Sequence, residues 1–141
     1  MKKICYHLIY VFILFSLILF GSCREDIVPP NNPAGNINEP VQTRTNNSYT
    51  FVINANNISK SVSNYLSLYS TNMRLYTSVL DISSGSVQIF LLNSYNYAWY
   101  SRTIATEIQD NYVELTGNYP NQIQIKMNNF TGKLKVQLIS L

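Results

Sequence analysis

Six residues in the second half of the chain carry the clearest chemistry: Tyr95-Asn96-Tyr97-Ala98-Trp99-Tyr100. In an extended strand alternate side chains share a face, so Tyr97 and Trp99 fall on one side. Tyr95 extends the row from the preceding turn. An exposed aromatic row stacks on the C–H faces of pyranose sugars, while amides and guanidinium groups bind the hydroxyls. Asn93, Asn96, Gln88 and Arg102 supply such groups. The candidate ligand-binding set is therefore Tyr95, Tyr97, Trp99 and Arg102. The competing reading is structural, because the sole Trp of a small domain commonly belongs to its core.

Two other clusters are weaker. Glu107, Asp110 and Glu114, with Asp81, are all the carboxylates after Glu39. Glycoside hydrolysis needs two carboxylates roughly 5–9 Å apart. Nothing in the spacing pairs these, and solvated charges around a turn explain them. A calcium ion near Asp110 and Asn111 would find oxygen ligands, but no EF-hand spacing is present. Lys126, Lys133 and Lys135 would share one outer face of a hairpin. There they would meet anionic glycan or phosphate or, more plainly, discourage edge-to-edge pairing.

What is missing excludes more than what is present suggests. The sequence has one histidine and two cysteines. His7 and Cys5 lie in an N-terminal apolar segment, and Cys23 closes it. Beyond Cys23 there is no His–Ser or His–Cys nucleophile pair, no His/Cys metal set and no disulfide. No catalytic residue, metal or cofactor is expected, and the chain reads as a non-enzyme. The net charge is only +3. No basic stripe offers a nucleic-acid footprint.

The N-terminus has an export pattern. Lys2-Lys3 precedes an apolar run to Phe20, followed by Gly21-Ser22-Cys23. A basic n-region, an apolar h-region and small residues before a cut define a secretory signal. With Cys directly after the small pair, the segment resembles the lipobox of bacterial lipoproteins. The resemblance implies a diacylglycerol on the Cys23 thiol and cleavage before it. The box has Phe20 where Leu is usual, as in looser Bacteroidota forms. Arg24-Glu25-Asp26 resembles the post-cysteine signal that sends Bacteroidota lipoproteins to the cell surface, with Arg in place of the usual Lys. The resemblance covers only these segments. It implies palmitate-type acylation, membrane partnership through the N-terminal lipid and a cell-surface position on the outer membrane. Two or three acyl chains, at about 0.8 kcal/mol per buried methylene, would anchor the protein almost permanently.

The elements that must position these features divide the chain into three parts. Residues 1–22 read as signal peptide and 23–45 as lipidated Cys plus tether, rich in Pro and Asn, spanning roughly 25 Å if flexible. Residues 46–141 read as one β domain. Alternation is clearest in Gln122–Met127 and Lys133–Leu138, with Asn128–Gly132 supplying turn chemistry between them, which predicts a hairpin. Other strand candidates are Tyr49–Asn54, Tyr65–Ser70, Met73–Ile82, Ser86–Leu92, Tyr97–Ile104 and a strand carrying Val113 and Leu115. Residues 58–70 also fit a helical face through Val62, Leu66 and Tyr69. Roughly seven or eight short strands about 10–12 residues apart predict an all-β, antiparallel β-sandwich. The expected role is a lipid-anchored binding or accessory module with glycan as the leading ligand. The alternative is a structural or protein-interaction subunit of an envelope or adhesin assembly.

Overall fold

A computed structural model of the chain describes residues 36–141. Cys5, His7, Cys23 and Arg24-Glu25-Asp26, with the signal and lipidation they imply, lie outside the described residues. The fold is all-β and antiparallel, with no helix among the described residues. Its strands are β1 (Val41–Arg44), β2 (Ser48–Tyr65), β3 (Asn72–Leu92), β4 (Ala98–Ile104), β5 (Ile108–Thr116) and β6 (Gln122–Ser140). They form one sheet in the order β1-β2-β6-β3-β4, and β5 also pairs with β3.

Six strands replace the seven or eight expected because three of them run unusually long. β2, β3 and β6 have 18, 21 and 19 residues. Each bends in the middle, where the pairing slips between Ala55 and Lys60 and between Leu80 and Ser86. An extra residue in a strand shifts the side-chain alternation by one and bends the strand. β6 records this directly. Its buried residues are Ile123, Ile125 and Met127 before the bend, then Phe130, Leu134, Val136 and Leu138 after it. Asn57, Asp81 and Asn129 adopt left-handed backbone here, at φ 49°, 54° and 46°. Asn and Asp tolerate that region better than other side chains. Side chains replace the interrupted ladder: Ser59 Oγ donates to Asn129 Oδ1 at 2.8 Å and accepts from Asn129 N at 2.9 Å. Ser84 Oγ donates to Asn129 O at 3.1 Å, and Asn57 N donates to Thr131 Oγ1 at 2.8 Å.

The bend makes two layers from one sheet. The first halves of β2 and β3 and the second half of β6 lie with β1 and β5. The second halves of β2 and β3 and the first half of β6 lie with β4. Phe51, Ile53, Leu75, Leu134 and Val136 in one layer, and Ile89, Leu91, Ile123 and Ile125 in the other, join one buried cluster. With no helix to cover these faces, the layers cover each other. This is a sandwich folded along a line through Asn57, Gly85 and Asn129.

The segment Asn128–Gly132 is therefore a bend within β6 and not the expected hairpin. Residues 58–70 are neither helix nor, beyond Tyr65, strand. Residues 66–71 cross from one layer to the other, with Leu66 and Leu68 buried as a plug. β1 lies inside the stretch that composition reads as tether. Its four residues carry little periodic signal and are recruited by pairing with β2, Val41 opposite Val52 and Arg44 opposite Tyr49.

Candidate functional site

All the strand ends away from the bend meet at one pole, here termed the open end. Four connections lie there: 45–47, 66–71, 93–97 and 117–121. The hairpin between β3 and β4 is the best-defined of them. Asn93 N donates to Tyr97 O at 3.0 Å, and Asn96 N to Asn93 O at 3.0 Å. The Asn93 side chain does more. Its Oδ1 accepts from Tyr95 N at 2.9 Å and from Tyr97 N at 3.0 Å. Asn96 takes a left-handed conformation, φ 62°, as a three-residue hairpin loop requires. The side-chain clamp fixes the backbone of both tyrosines. Tyr95 and Tyr97 themselves stay 79% and 73% exposed.

Trp99 does not continue that row. The pairing of β3 with β4 slips between Leu91 and Leu92, opposite Tyr100 and Ala98, so a bulge falls at Trp99. The indole is half-buried and packs against the core, and its Nε1 is buried without a hydrogen-bond partner. The tryptophan sits at the bulge two residues from Tyr97, with its ring against the core.

Arg102 also stands apart. It lies five residues along β4 from Tyr97, about 17 Å at strand rise. Its partner across the ladder is Ile89, a fully buried residue, so Arg102 starts from the inner face. From that edge its guanidinium reaches the other layer and donates to Asn111 Oδ1 at 2.8 Å. It ties β4 to β5. The structure thus puts Tyr95 and Tyr97 on one loop, turns Trp99 to the core and leaves Arg102 elsewhere.

No protein-family model matches the chain, and no curated protein matches it. A solved structure is similar. It comes from work described as "Bacillus endospore appendages form a novel family of disulfide-linked pili", with a TM-score of 0.43 and 12% identity over 73% of this chain and 91% of that one.

Three of the carboxylate candidates have structural partners. Glu114 pairs with Arg74 at 2.9 Å, and Asp81 with Lys133 at 3.0 Å. Asp110 Oδ1 accepts from Ser78 Oγ at 3.0 Å. With Asn111 Oδ1 already facing a guanidinium, the Asp110–Asn111 corner does not suit a hard cation. No three metal-ligating side chains cluster among the described residues. The three lysines do not share a face. Lys133 and Lys135 lie on the outer side of one layer, and Lys126 sits on the other, 5.1 Å over the Phe90 ring. Nor do they guard an edge, since β6 is flanked by β2 and β3.

Three further exposed tyrosines at the open end escape a linear reading: Tyr65, Tyr69 and Tyr119. Tyr65 ends β2, Tyr69 lies in the connection that follows it and Tyr119 in the connection 117–121, so they share one pole only because the sheet folds over. The usable sequence signal is local alternation. Leu66 and Leu68 point inward, so Tyr65 and Tyr69 on either side point out; Tyr119 precedes the buried Pro120.

Proposed function

We propose that this protein is a non-enzymatic glycan-binding module held at the outer face of a bacterial outer membrane by lipid on Cys23. The Tyr95–Tyr97 hairpin is its contact element. The observation that carries this reading is the Asn93 clamp, which fixes the backbone of two tyrosines while their rings remain exposed. Exposed aromatic rings on a rigid loop are a binding device, because little ordering entropy remains to be lost on contact.

The position of the domain's first residues agrees with a displayed module. Asn38 N donates to Asn54 O at 2.8 Å, and Asn56 N to Asn38 Oδ1 at 2.8 Å, so the chain arrives beside the bend. The hairpin lies at the opposite pole, about 27 Å away for eight residues of strand. A tether joining at the bend leaves the tyrosine pole free to face away from the surface that holds it.

A subunit of an envelope or adhesin assembly is the alternative. One observation favours it: the sheet is not closed, and β4 and β5 each pair with β3 on one side only. Against it, Arg102, Asp110 and Glu114 stand along that margin, and charge on an edge discourages strand addition.

Two measurements test the proposal. Tyr95→Ala and Tyr97→Ala should keep the folded circular dichroism spectrum and lose retention on a polysaccharide gel. Unchanged retention by both variants removes the hairpin from the site. Protease treatment of intact cells should release the domain, and protection would place it on the inner side of the membrane.

A further inference from the structure

We infer that the contact surface is the whole open end, and that its ligand is an extended, uncharged polysaccharide lying across it. This inference rests on the proposed glycan function and specifies its ligand class. Five tyrosines share that pole: Tyr65, Tyr69, Tyr95, Tyr97 and Tyr119, each between 61% and 88% exposed. A monomeric soluble protein rarely gathers so much exposed aromatic surface in one place without a use for it.

The register gives the breadth of the surface. Tyr65 pairs with Gln122, Gln122 with Leu92, and Leu92 with Ala98. Three strand steps separate Tyr65 from the Tyr97 corner, about 14 Å. A single sugar ring covers one aromatic side chain, so rings spaced this way suit successive sugars of one chain. Tyr69 continues the surface toward the other layer. It borders an open hollow of about 320 Å³ lined also by Asn46, Asn47, Ser70 and Ser140.

The floor beneath the rings is held in place. Leu66, Leu68 and Pro120 are buried. Leu66 N donates to Asn121 O at 2.9 Å, Asn121 N to Leu92 O at 2.8 Å, and Gly117 N to Thr71 O at 3.0 Å. These bonds link two of the four connections, 66–71 and 117–121, to each other and to β3.

Charge decides the ligand class. The connections 45–47, 66–71, 93–97 and 117–121 contain no Lys, Arg, Asp or Glu. Nothing in them would neutralise a uronate, sulfate or phosphate; the neighbouring Arg44 is engaged with the Tyr65 carbonyl, its Nη1 donating at 2.8 Å, and the exposed Asn46, Asn96, Asn118 and Asn121 match neutral hydroxyls. A protein ligand fits less well. The fully buried centres of protein interfaces are enriched in Trp, Phe, Met and Arg as well as Tyr, and of these the four connections carry Tyr alone.

The test uses the full chain in affinity electrophoresis through gels containing dextran, galactomannan, xyloglucan or alginate. Trp99 fluorescence, read two residues from Tyr97, gives affinities for any polymer that binds. At least one neutral polymer should retard the protein, and its disaccharide should bind at least tenfold more weakly. Tyr69→Ala and Tyr119→Ala should each weaken polymer binding by about threefold to tenfold without changing the unfolding midpoint. If only the Tyr95 and Tyr97 variants lose binding, the hairpin reading stands and this broader surface is withdrawn. Equal retardation by alginate overturns the uncharged class. Retardation by alginate alone likewise overturns only the uncharged class, and failure of every polymer, alginate included, to retard the wild-type chain overturns both readings. Retention on a glycoprotein resin that survives enzymatic removal of its sugars overturns the glycan in favour of a protein.

Discussion

Replacing Gly85 by alanine should remove a large part of the domain's stability, whereas the same change at Gly117 should cost little. Both glycines adopt positive φ, 77° and 88°. An alanine in that region costs about 1–2 kcal/mol at either position. The space around them differs. A Cβ on Gly117 meets nothing within 4 Å, while one on Gly85 would lie 2.3 Å from the carbonyl oxygens of both Asn128 and Asn129. Those are backbone atoms and cannot swing aside. Relief requires β3 and β6 to separate by about 1 Å at the bend. The same Asn129 is held by Ser59 and Ser84. Losing three such bonds at about 1 kcal/mol each, on top of the backbone strain, brings the loss to about 4–5 kcal/mol. A domain of this size has only about 5–15 kcal/mol in total. Urea unfolding followed by Trp99 fluorescence measures both variants. Gly117→Ala should lower the stability by about 1–2 kcal/mol. A Gly85→Ala protein with the same midpoint as Gly117→Ala would show that the bend is not sterically locked at this crossing.

Three other expectations rest on single groups. Thr77 is fully buried with its Oγ1 unpartnered, so Thr77→Val should stabilise the domain by about 1 kcal/mol in the same urea assay. Burial pushes the Tyr49 hydroxyl up to about 12, partly offset by its hydrogen bonding with Asn64. The unfolded tyrosine ionises near pH 10 and the folded one two units later. The Tyr49 contribution to stability should therefore be constant below pH 10 and fall by about 2–3 kcal/mol between pH 10 and 12, a fall that Tyr49→Phe abolishes. Arg102→Ala should cost less than about 1 kcal/mol, because its partner Asn111 is exposed, and should leave polysaccharide retention unchanged.

The strand alternation is readable residue by residue; the topology is not. Ile123, Ile125 and Met127, then Leu134, Val136 and Leu138, fall on inner faces as their period-two pattern implies. The pattern cannot say whether Asn128–Gly132 joins two strands or bends one. Both need a left-handed Asn or Gly, and the choice is made by which distant halves of β2 and β3 lie alongside. That one ambiguity misplaces Lys126 relative to Lys133 and Lys135. Trp99 reads with Tyr97 because alternation assumes an unbroken ladder, and the bulge opposite Leu91 and Leu92 breaks it. Tyr65, Tyr69 and Tyr119 belong to the candidate surface through connectivity between layers, which no local pattern encodes.

The arrangement of the chain's poles also decides how the domain would carry a mechanical load. Tension arriving through the residues before Val41 and resisted at the tyrosines runs along the strands. The ladder bonds of β1 with β2 lie across that direction. They would be sheared together instead of unzipped singly, and β2, β3 and β6 pass unbroken through the fold, so the two layers cannot peel apart like separate sheets. A domain built this way resists being unfolded by a pull between its two poles.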